Sequence, residues 1–384
     1  MRRYLVAALA ALPVVIAPAL MISANASTED LVAVRMAAGE KVPGQYIVTL
    51  KPGVEQQVMF DQTPDIRPMY VYDTVLNGFA ARLDDQQLDE LRRDPKVASI
   101  EEDQIAKVSE VQDDAPWGLD RLDQKQLPLD HKYNYTTKAE KVTAYIIDTG
   151  IEPEHDEFGG RAKIGHDSMG GDGQDCHGHG THVAGTVGGK TYGLAKGVQL
   201  SGVRVLGCDG SGSYSGVIEG IDWVAKNAAK PAVANMSLGG GFSQAVNDAS
   251  ARLVQSGVFM AVAAGNSSTD ACQVSPASTP EVTTVAASDT QDGSAYFTND
   301  GKCVDVYAPG VSIVSAKLGG GETAMSGTSM AAPHVAGIAA LYKGSKGDAD
   351  SATLNKWMVD SALPDTIDRA PENTTSRMAQ KGDL

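Results

Sequence analysis

V-T-A-Y-I-I-D-T-G, residues Val142 to Gly150, is an apolar, β-branched run that ends on a carboxylate and a turn. Continuous apolar character marks a strand buried on both faces, as in a parallel sheet covered by helices. Working outward, Gln199 to Leu206, Ala232 to Met236, Val258 to Ala264 and Val282 to Ala286 read the same way, with helical segments between them. Strands alternating with helices predict an α/β fold of three layers, a mostly parallel sheet flanked by helices on both sides. Such sheets carry functional groups just past the carboxyl ends of their strands. Asp148 stands at such an end, although a lone Asp before Thr-Gly is ordinarily a turn residue.

A second stretch changes that reading. From His177 to Gly185 the chain runs H-G-H-G-T-H-V-A-G, glycines around histidines at the entry to a helix of small residues. Such a helix lies close to the sheet, so His179 can present its imidazole at the cleft, where a carboxylate would fix its tautomer and stabilise the imidazolium. His177, His179 and His182 also suggest a zinc site. The H-E-x-x-H pattern is absent, however, and no Glu accompanies the pair as general base. His177 reads as a surface loop residue.

Further on, G-T-S-M-A-A-P-H-V-A-G, Gly327 to Gly337, sets Ser329 at a helix start whose first turn accepts Pro333. A serine there is commonly a cap. It can equally aim its hydroxyl into a cleft, where the helix N-terminus favours a developing oxyanion. Asn266, closing A-V-A-A-G-N from Ala261, could donate a second hydrogen bond to that oxyanion.

Arg2 and Arg3, the apolar run Tyr4 to Ile22 and the A-x-A site Ala24-Asn25-Ala26 predict a signal peptide of residues 1–26. A membrane anchor is the alternative, weakened by Pro13 and Pro18. Export makes the product extracellular and lets Cys176, Cys208, Cys272 and Cys303 pair, in any of three connectivities. Sequential pairing closes the shortest loops and would stabilise the fold by roughly 3 kcal/mol per bridge. A formal charge of −16 argues against a nucleic-acid groove. Ahead of the α/β region, strands at Gln45 to Leu50, Gly78 to Leu83 and Val97 to Val108, an irregular stretch from Gln56 to Pro68 and a helix at Asp84 to Arg93 make a small α+β unit. Ser109 to Pro116 loses periodicity and reads as an exposed linker.

Taken together, the three blocks Y-I-I-D-T-G-I, H-G-T-H-V-A-G and G-T-S-M-A-A-P-H resemble the subtilisin superfamily, in its proteinase K and aqualysin branch. The order Asp, His, Ser differs from that of α/β-hydrolase esterases, and Ala331 departs from their G-x-S-x-G elbow. The resemblance implies a subtilisin-like fold and a secreted serine endopeptidase with the triad Asp148, His179 and Ser329. Asn266 and the Ser329 N–H would form the oxyanion hole. It implies that polypeptide substrates lie as a strand between Gly210, Ser211, Gly212, Tyr214 and Ser237, Leu238, Gly239, Gly240. Ala263, Ala264 and Gly265 would line the pocket before the scissile bond, suited to bulky apolar or aromatic residues.

The same resemblance implies structural calcium at Pro280, Val282 and Asp305. A second calcium would sit at Asp120, Asp123, Gln124 and Asp130, with Lys132 at a further ligand position. It also implies the sequential disulfides. Residues 27–109, with a core from 45 to 108, resemble this family's inhibitor-like, ferredoxin-like propeptide, which aids folding and then blocks the cleft, leaving 110–384 as the catalytic domain. Maturation would fall between Val108 and Gln112 and yield a monomer that binds neither membrane nor nucleic acid. The opposing hypothesis is a binding protein on an inactive protease scaffold, against which the intact triad and Asn266 argue.

Overall fold

A computed structural model describes residues 31–37, 41–73, 76–104 and 110–384. The predicted signal segment lies outside the described residues. The chain divides into two compact units that meet between Gln104 and Ile105.

The first unit contains β1 (Val34–Arg35), β2 (Lys41–Leu50), α1 (Gln56–Gln62), β3 (Pro68–Tyr72), β4 (Gly78–Arg82), α2 (Asp85–Arg93) and β5 (Val97–Gln104). Its sheet runs β1-β5-β2-β4-β3, antiparallel except for β1 on β5. From β2 onward this is the β-α-β-β-α-β order of a ferredoxin-like unit. Asp84 and Gln87 form a reciprocal capping box at α2. The stretch read as irregular contains α1, whose one fully buried side chain is Met59. Seven residues with one buried anchor leave too little periodicity to announce a helix.

The second unit opens with β6 (Glu110–Asp113), α3 (Trp117–Asp123) and β7 (Lys132–Tyr135). β6 pairs antiparallel with β7, so from Glu110 the expected linker is already part of a two-stranded sheet. Then come β8 (Thr143–Asp148), β9 (Ala162–Asp167), α4 (His179–Gly188), β10 (Gln199–Arg204), α5 (Tyr214–Asn227), β11 (Ala232–Met236), β12 (Gly240–Gly241), α6 (Gln244–Gln255) and β13 (Phe259–Ala263). The chain continues through β14 (Val274–Ser275), β15 (Thr283–Ser288), β16 (Val306–Pro309), β17 (Ile313–Ala316), β18 (Glu322–Met325), α7 (Thr328–Lys346) and α8 (Ser351–Ser361).

A seven-stranded sheet of order β16-β15-β13-β11-β8-β10-β9 is parallel throughout. The five anticipated strands are its centre. β9 and β16 are its two edges, and the alternating A-K-I-G-H-D of β9 and the short V-Y-A-P of β16 lack the apolar run that marks a strand covered on both faces. Side chains alternate between two cores: Ala144 and Ile146 of β8 face the core that holds α4 and α7 residues, while Tyr145 and Ile147 face the α5 and α6 side. The strand order reverses at β8, between β10 and β11, and Asp148 is its last residue. A carboxylate at the carboxyl edge of the switch-point strand stands where open parallel sheets bind their ligands.

Candidate active site

Asp148 has no solvent exposure, and its Oδ1 accepts hydrogen bonds from Thr149 N–H and from Nδ1 of His179, each at 2.7 Å. A carboxylate only accepts, so Nδ1 carries the proton and Nε2 is left as the acceptor on the cleft side. His179 is the first residue of α4, and its side chain is 20% exposed. Gly178 caps that helix at φ +99°, in the left-handed region. At Gly180 a Cβ would stand 2.0 Å from the Gly150 carbonyl oxygen, so only glycine lets α4 rest on the turn after β8. Burial lowers the proton affinity of the His179 imidazole, but the charge and hydrogen bond of Asp148, with the field of Asp175, outweigh it and hold the pKa above the usual 6.5.

Asp175 was not anticipated. It is buried and accepts five bonds, from Thr149 Oγ1, His177 N–H, Gly178 N–H, Thr181 N–H and Thr181 Oγ1. It thereby supplies acceptors to the free N–H groups at the start of α4 and ties that helix to the Asp148 turn.

Ser329 is the second residue of α7, half-buried, with its Oγ donating to the Ser237 carbonyl at 3.2 Å. Pro333 sits inside the helix, in the second turn rather than the first. Lacking an N–H, it leaves the Ser329 carbonyl without its helical donor. Ser237 Oγ takes that place at 2.8 Å, and is itself held by Asn235 Nδ2 at 2.8 Å.

The Asn266 amide is oriented by Thr328, whose N–H and Oγ1 both donate to Asn266 Oδ1 (2.8 and 2.9 Å). A backbone N–H demands an acceptor, so Nδ2 is left facing the cleft. One carbon–carbon bond out from Gly327 Cα is a point 3.5 Å from Asn266 Nδ2, 3.6 Å from Ser329 N and 3.7 Å from Asn266 Oδ1, so the Asn266 amide and the Ser329 N–H border one small volume. Asn299 braces the Asn266 loop through bonds to Ser267 N–H, Thr269 N–H and the Ala264 carbonyl.

Two adjoining cavities follow the cleft. One, of about 420 Å³, is lined by His177, His179, Gly210, Ser211, Gly212, Tyr214, Ser237, Leu238 and Gly239, among others. The next, of about 410 Å³, is lined by Leu238, Gly239, Gly240, Ala263, Gly265, Asn266 and Ser329. Ala264 turns away from it into a core cluster with Ala286 and Tyr307. His182 is also turned away: its Nε2 sits 3.0 and 3.1 Å from the carbonyls of Ile313 and Thr323, and burial pushes its pKa down to about 4. Among the described residues no three His, Cys, Asp or Glu side chains converge as a metal cluster, so the zinc reading of the three histidines has no support in their placement.

The two sets expected to hold calcium differ. Pro280 and Asp305 line one cavity of about 280 Å³ with Ser278 and Thr279, and Val282 is buried nearby in sequence. Burial raises the Asp305 carboxyl to about 6 despite a bond from Thr284 N–H. Lys302 lines the same cavity, but no ion pair joins it to Asp305 among the described residues, and a buried carboxylate with no ion-pair partner suits a hard cation. In the other set, Asp123 is already paired with Lys381 (3.0 Å) and accepts from Asn134 N–H and Nδ2. Gln124 accepts from Asp130 N–H, Asp130 accepts from Lys132 N–H, and Asp120 accepts from His131 N–H while its Oδ1 is buried and unpartnered. With the Lys381 ammonium holding Asp123, that set does not fit a calcium cage.

The cysteines pair sequentially, Cys176 with Cys208 and Cys272 with Cys303. The first bridge joins the loop that leads to His179 to the loop that leads to Gly210.

A switch-point carboxylate, an imidazole on the next helix and an alcohol at the start of another define the class, a serine-dependent hydrolase on a parallel α/β scaffold. The subtilase family pattern matches residues 139–382, and the peptidase inhibitor I9 pattern matches residues 45–109. Alkaline serine exoprotease A of Vibrio alginolyticus is 54% identical over 280 residues, 71% of this chain and 52% of its own, so this chain spans about half of that relative's length. The extracellular serine proteinase of Thermus sp. (strain Rt41A) is 47% identical over 345 residues, 83% of this chain and 84% of its own. The crystal structure of a cold adapted subtilisin-like serine proteinase superposes with TM-score 0.69 at 49% identity, covering 71% of this chain and 99% of that one. The chain belongs to the subtilase family of serine proteases and carries an inhibitor-type module ahead of the protease domain.

Proposed function

We propose that the protein is a secreted endopeptidase of broad specificity, made as a precursor. In this reading residues 1–26 direct export, 27–109 fold against and inhibit the protease, and 110–384 are the active enzyme, a monomer once processed. Extracellular relatives and two disulfides support export.

His179 Nε2 takes the proton of Ser329 when substrate displaces the hydroxyl from the Ser237 carbonyl, and the alkoxide attacks the peptide carbonyl. Asp148 stabilises the imidazolium. Asn266 Nδ2 and Ser329 N–H receive the oxyanion, the amine leaves with the proton from His179, and water releases the acyl group. The observation that carries this reading is the 2.7 Å bond from His179 Nδ1 to the buried Asp148 Oδ1 at the carboxyl edge of the sheet, with Ser329 and Asn266 lining the cavity that adjoins that of His179. Substrate lies as an added strand between Gly210–Tyr214 and Ser237–Gly240. The cavity past Ala263 and Gly265 takes a bulky apolar or aromatic side chain before the scissile bond.

The test is labelling by a fluorophosphonate. Processed protein should take up one equivalent, on Ser329 by peptide mapping, and lose its cleavage of casein in proportion. Folded, processed protein that takes up no label contradicts the enzyme reading and leaves the inactive-scaffold one.

The raised proton affinity of His179 sets the pH dependence. The base form is needed, so kcat/KM should rise with pH around a midpoint above about 6.5. Stability runs the other way: a folded-state pKa above the unfolded one contributes stability that is complete below the unfolded pKa and is lost as pH rises through the folded one. A kcat/KM midpoint at or below the ordinary imidazole value of about 6.5 in the pH–rate profile would contradict the assignment.

Calcium, when bound by Asp305 with the carbonyls of Pro280 and Val282, would supply positive charge to the buried carboxylate and tie the turn before β15 to the approach to β16. Chelation should lower Tm by about 5 °C or more in wild type, and Asp305→Asn should abolish that response. Equal calorimetric Tm with and without chelator would remove the site.

A further inference from the structure

We propose that a cavity bordered by α3 and the β17–β18 hairpin binds a small organic ammonium ion that carries a hydroxyl at the other end of a short alkyl stem. The cavity, of about 260 Å³, shares no lining residue with the two cavities of the cleft. Trp117, Leu119, Ile313 and Val314 give it apolar walls. Asp114 and Glu322, both exposed, mark its rim, and the buried His334 marks its closed end.

The closed end asks for a neutral donor. His334 is 1% exposed, and its Nδ1 lies 2.8 Å from the Met330 carbonyl one turn earlier in α7. A carbonyl only accepts, so Nδ1 carries the proton and Nε2 presents a lone pair. Burial pushes the imidazole pKa down to about 4, which keeps the ring neutral near pH 7. Nε2 accepts no hydrogen bond among the described residues, and a buried acceptor left unmatched is costly. Gly118 of α3 keeps it uncovered: a Cβ there would stand 2.5 Å from Nε2. Glycine is otherwise a poor choice inside a helix, so the space in front of Nε2 is what it preserves.

The rim asks for a cation. Among the described residues no Lys or Arg lines the cavity, and neither Asp114 nor Glu322 joins an ion pair. Tyr192 donates its O–H to Glu322 Oε2, so that hydroxyl is already spent as a donor. Trp117 is half-buried with Nε1 itself buried, so the carbon part of the indole borders the cavity, a surface that suits both an alkyl stem and a nearby cation. An ammonium kept at the rim stays hydrated on one side and avoids the cost of carrying charge to the buried end. The hydroxyl, which can donate to Nε2 without charge, goes inward.

The experiment titrates 5-amino-1-pentanol, pentylammonium, 1-pentanol and 5-hydroxypentanoate into ¹⁵N-labelled secreted protein treated with the fluorophosphonate, at pH 7. The indole N–H resonance of Trp117, assigned by its loss in Trp117→Phe, reports binding, and the Nε2 resonance of His334 reports the inner hydrogen bond. 5-Amino-1-pentanol should move both, with Kd of about 1 mM. Pentylammonium, which lacks the inner donor, should bind about three- to tenfold more weakly and leave His334 Nε2 unmoved. 1-Pentanol should bind about threefold more weakly or worse, and 5-hydroxypentanoate weakest of all. The double variant Asp114→Asn, Glu322→Gln changes only exposed positions, and in it the advantage of 5-amino-1-pentanol over 1-pentanol should disappear. No movement of the Trp117 signal up to about 50 mM 5-amino-1-pentanol, at which a site of millimolar affinity is nearly full, overturns the proposal. Equal binding of 1-pentanol in wild type, an unmoved His334 Nε2, or an advantage that survives in the double variant overturns it as well.

Discussion

Replacing Ser329 with alanine is expected to leave the precursor uncut and to lower peptide hydrolysis by about 10⁴- to 10⁶-fold. The hydroxyl is the only group lost, and its one hydrogen bond among the described residues is the 3.2 Å bond to the Ser237 carbonyl. The clamp on the Ser329 backbone survives, because Ser237 Oγ bonds to the Ser329 carbonyl and not to its side chain. The variant should therefore fold with Tm within a few degrees of the inactivated wild type, since a single neutral hydrogen bond is worth about 1 kcal/mol. N-terminal sequencing distinguishes the outcomes. A product that begins between Val108 and Gln112 in the variant, made without added protease, would show that maturation does not depend on this serine.

Asp148→Asn should cost about 10⁴-fold in kcat/KM and also move the pH profile. Oδ1 of Asp148 accepts from both Thr149 N–H and His179 Nδ1, while Oδ2 is buried without a partner. An asparagine can keep its oxygen on those two donors and put its amide where Oδ2 stood. The geometry then survives and the negative charge does not. Without that charge, burial governs His179, and the acid limb of the profile shifts to lower pH than in wild type. Loss of activity with an unmoved acid limb would mean that the variant acts through disorder and not through charge.

How far these residues could be read from the sequence follows from where their information lies. β8, β10, β11, β13 and β15 were legible because strands covered on both faces must be apolar along their length. Edge strands carry no such demand, and β9 and β16 went unread. Asp148, His179, Ser329 and Asn266 were legible because each sits at an element end flanked by glycines, where the backbone must turn or approach closely. Asp175, Thr328 and Asn299 were not, since their work is hydrogen bonding to distant parts of the chain and leaves no local pattern. Pro333 could have exposed a further role of Ser237: a proline four residues after Ser329 requires an outside donor for the Ser329 carbonyl, and the Ser237 hydroxyl is that donor. The sequential disulfides agreed with loop length, whereas the second calcium set was undone by Lys381, more than 250 residues away in sequence from Asp123.

The bonds between Ser237 and Ser329 run in both directions, hydroxyl to carbonyl each way. Ser237 belongs to the stretch proposed to hold the incoming peptide, so the reacting alcohol is fastened to the rail on which its target slides. Under the proposed mechanism, a peptide seated on that rail would work the trigger directly: the hydroxyl of Ser329 is released for chemistry while that of Ser237 keeps the helix start in place.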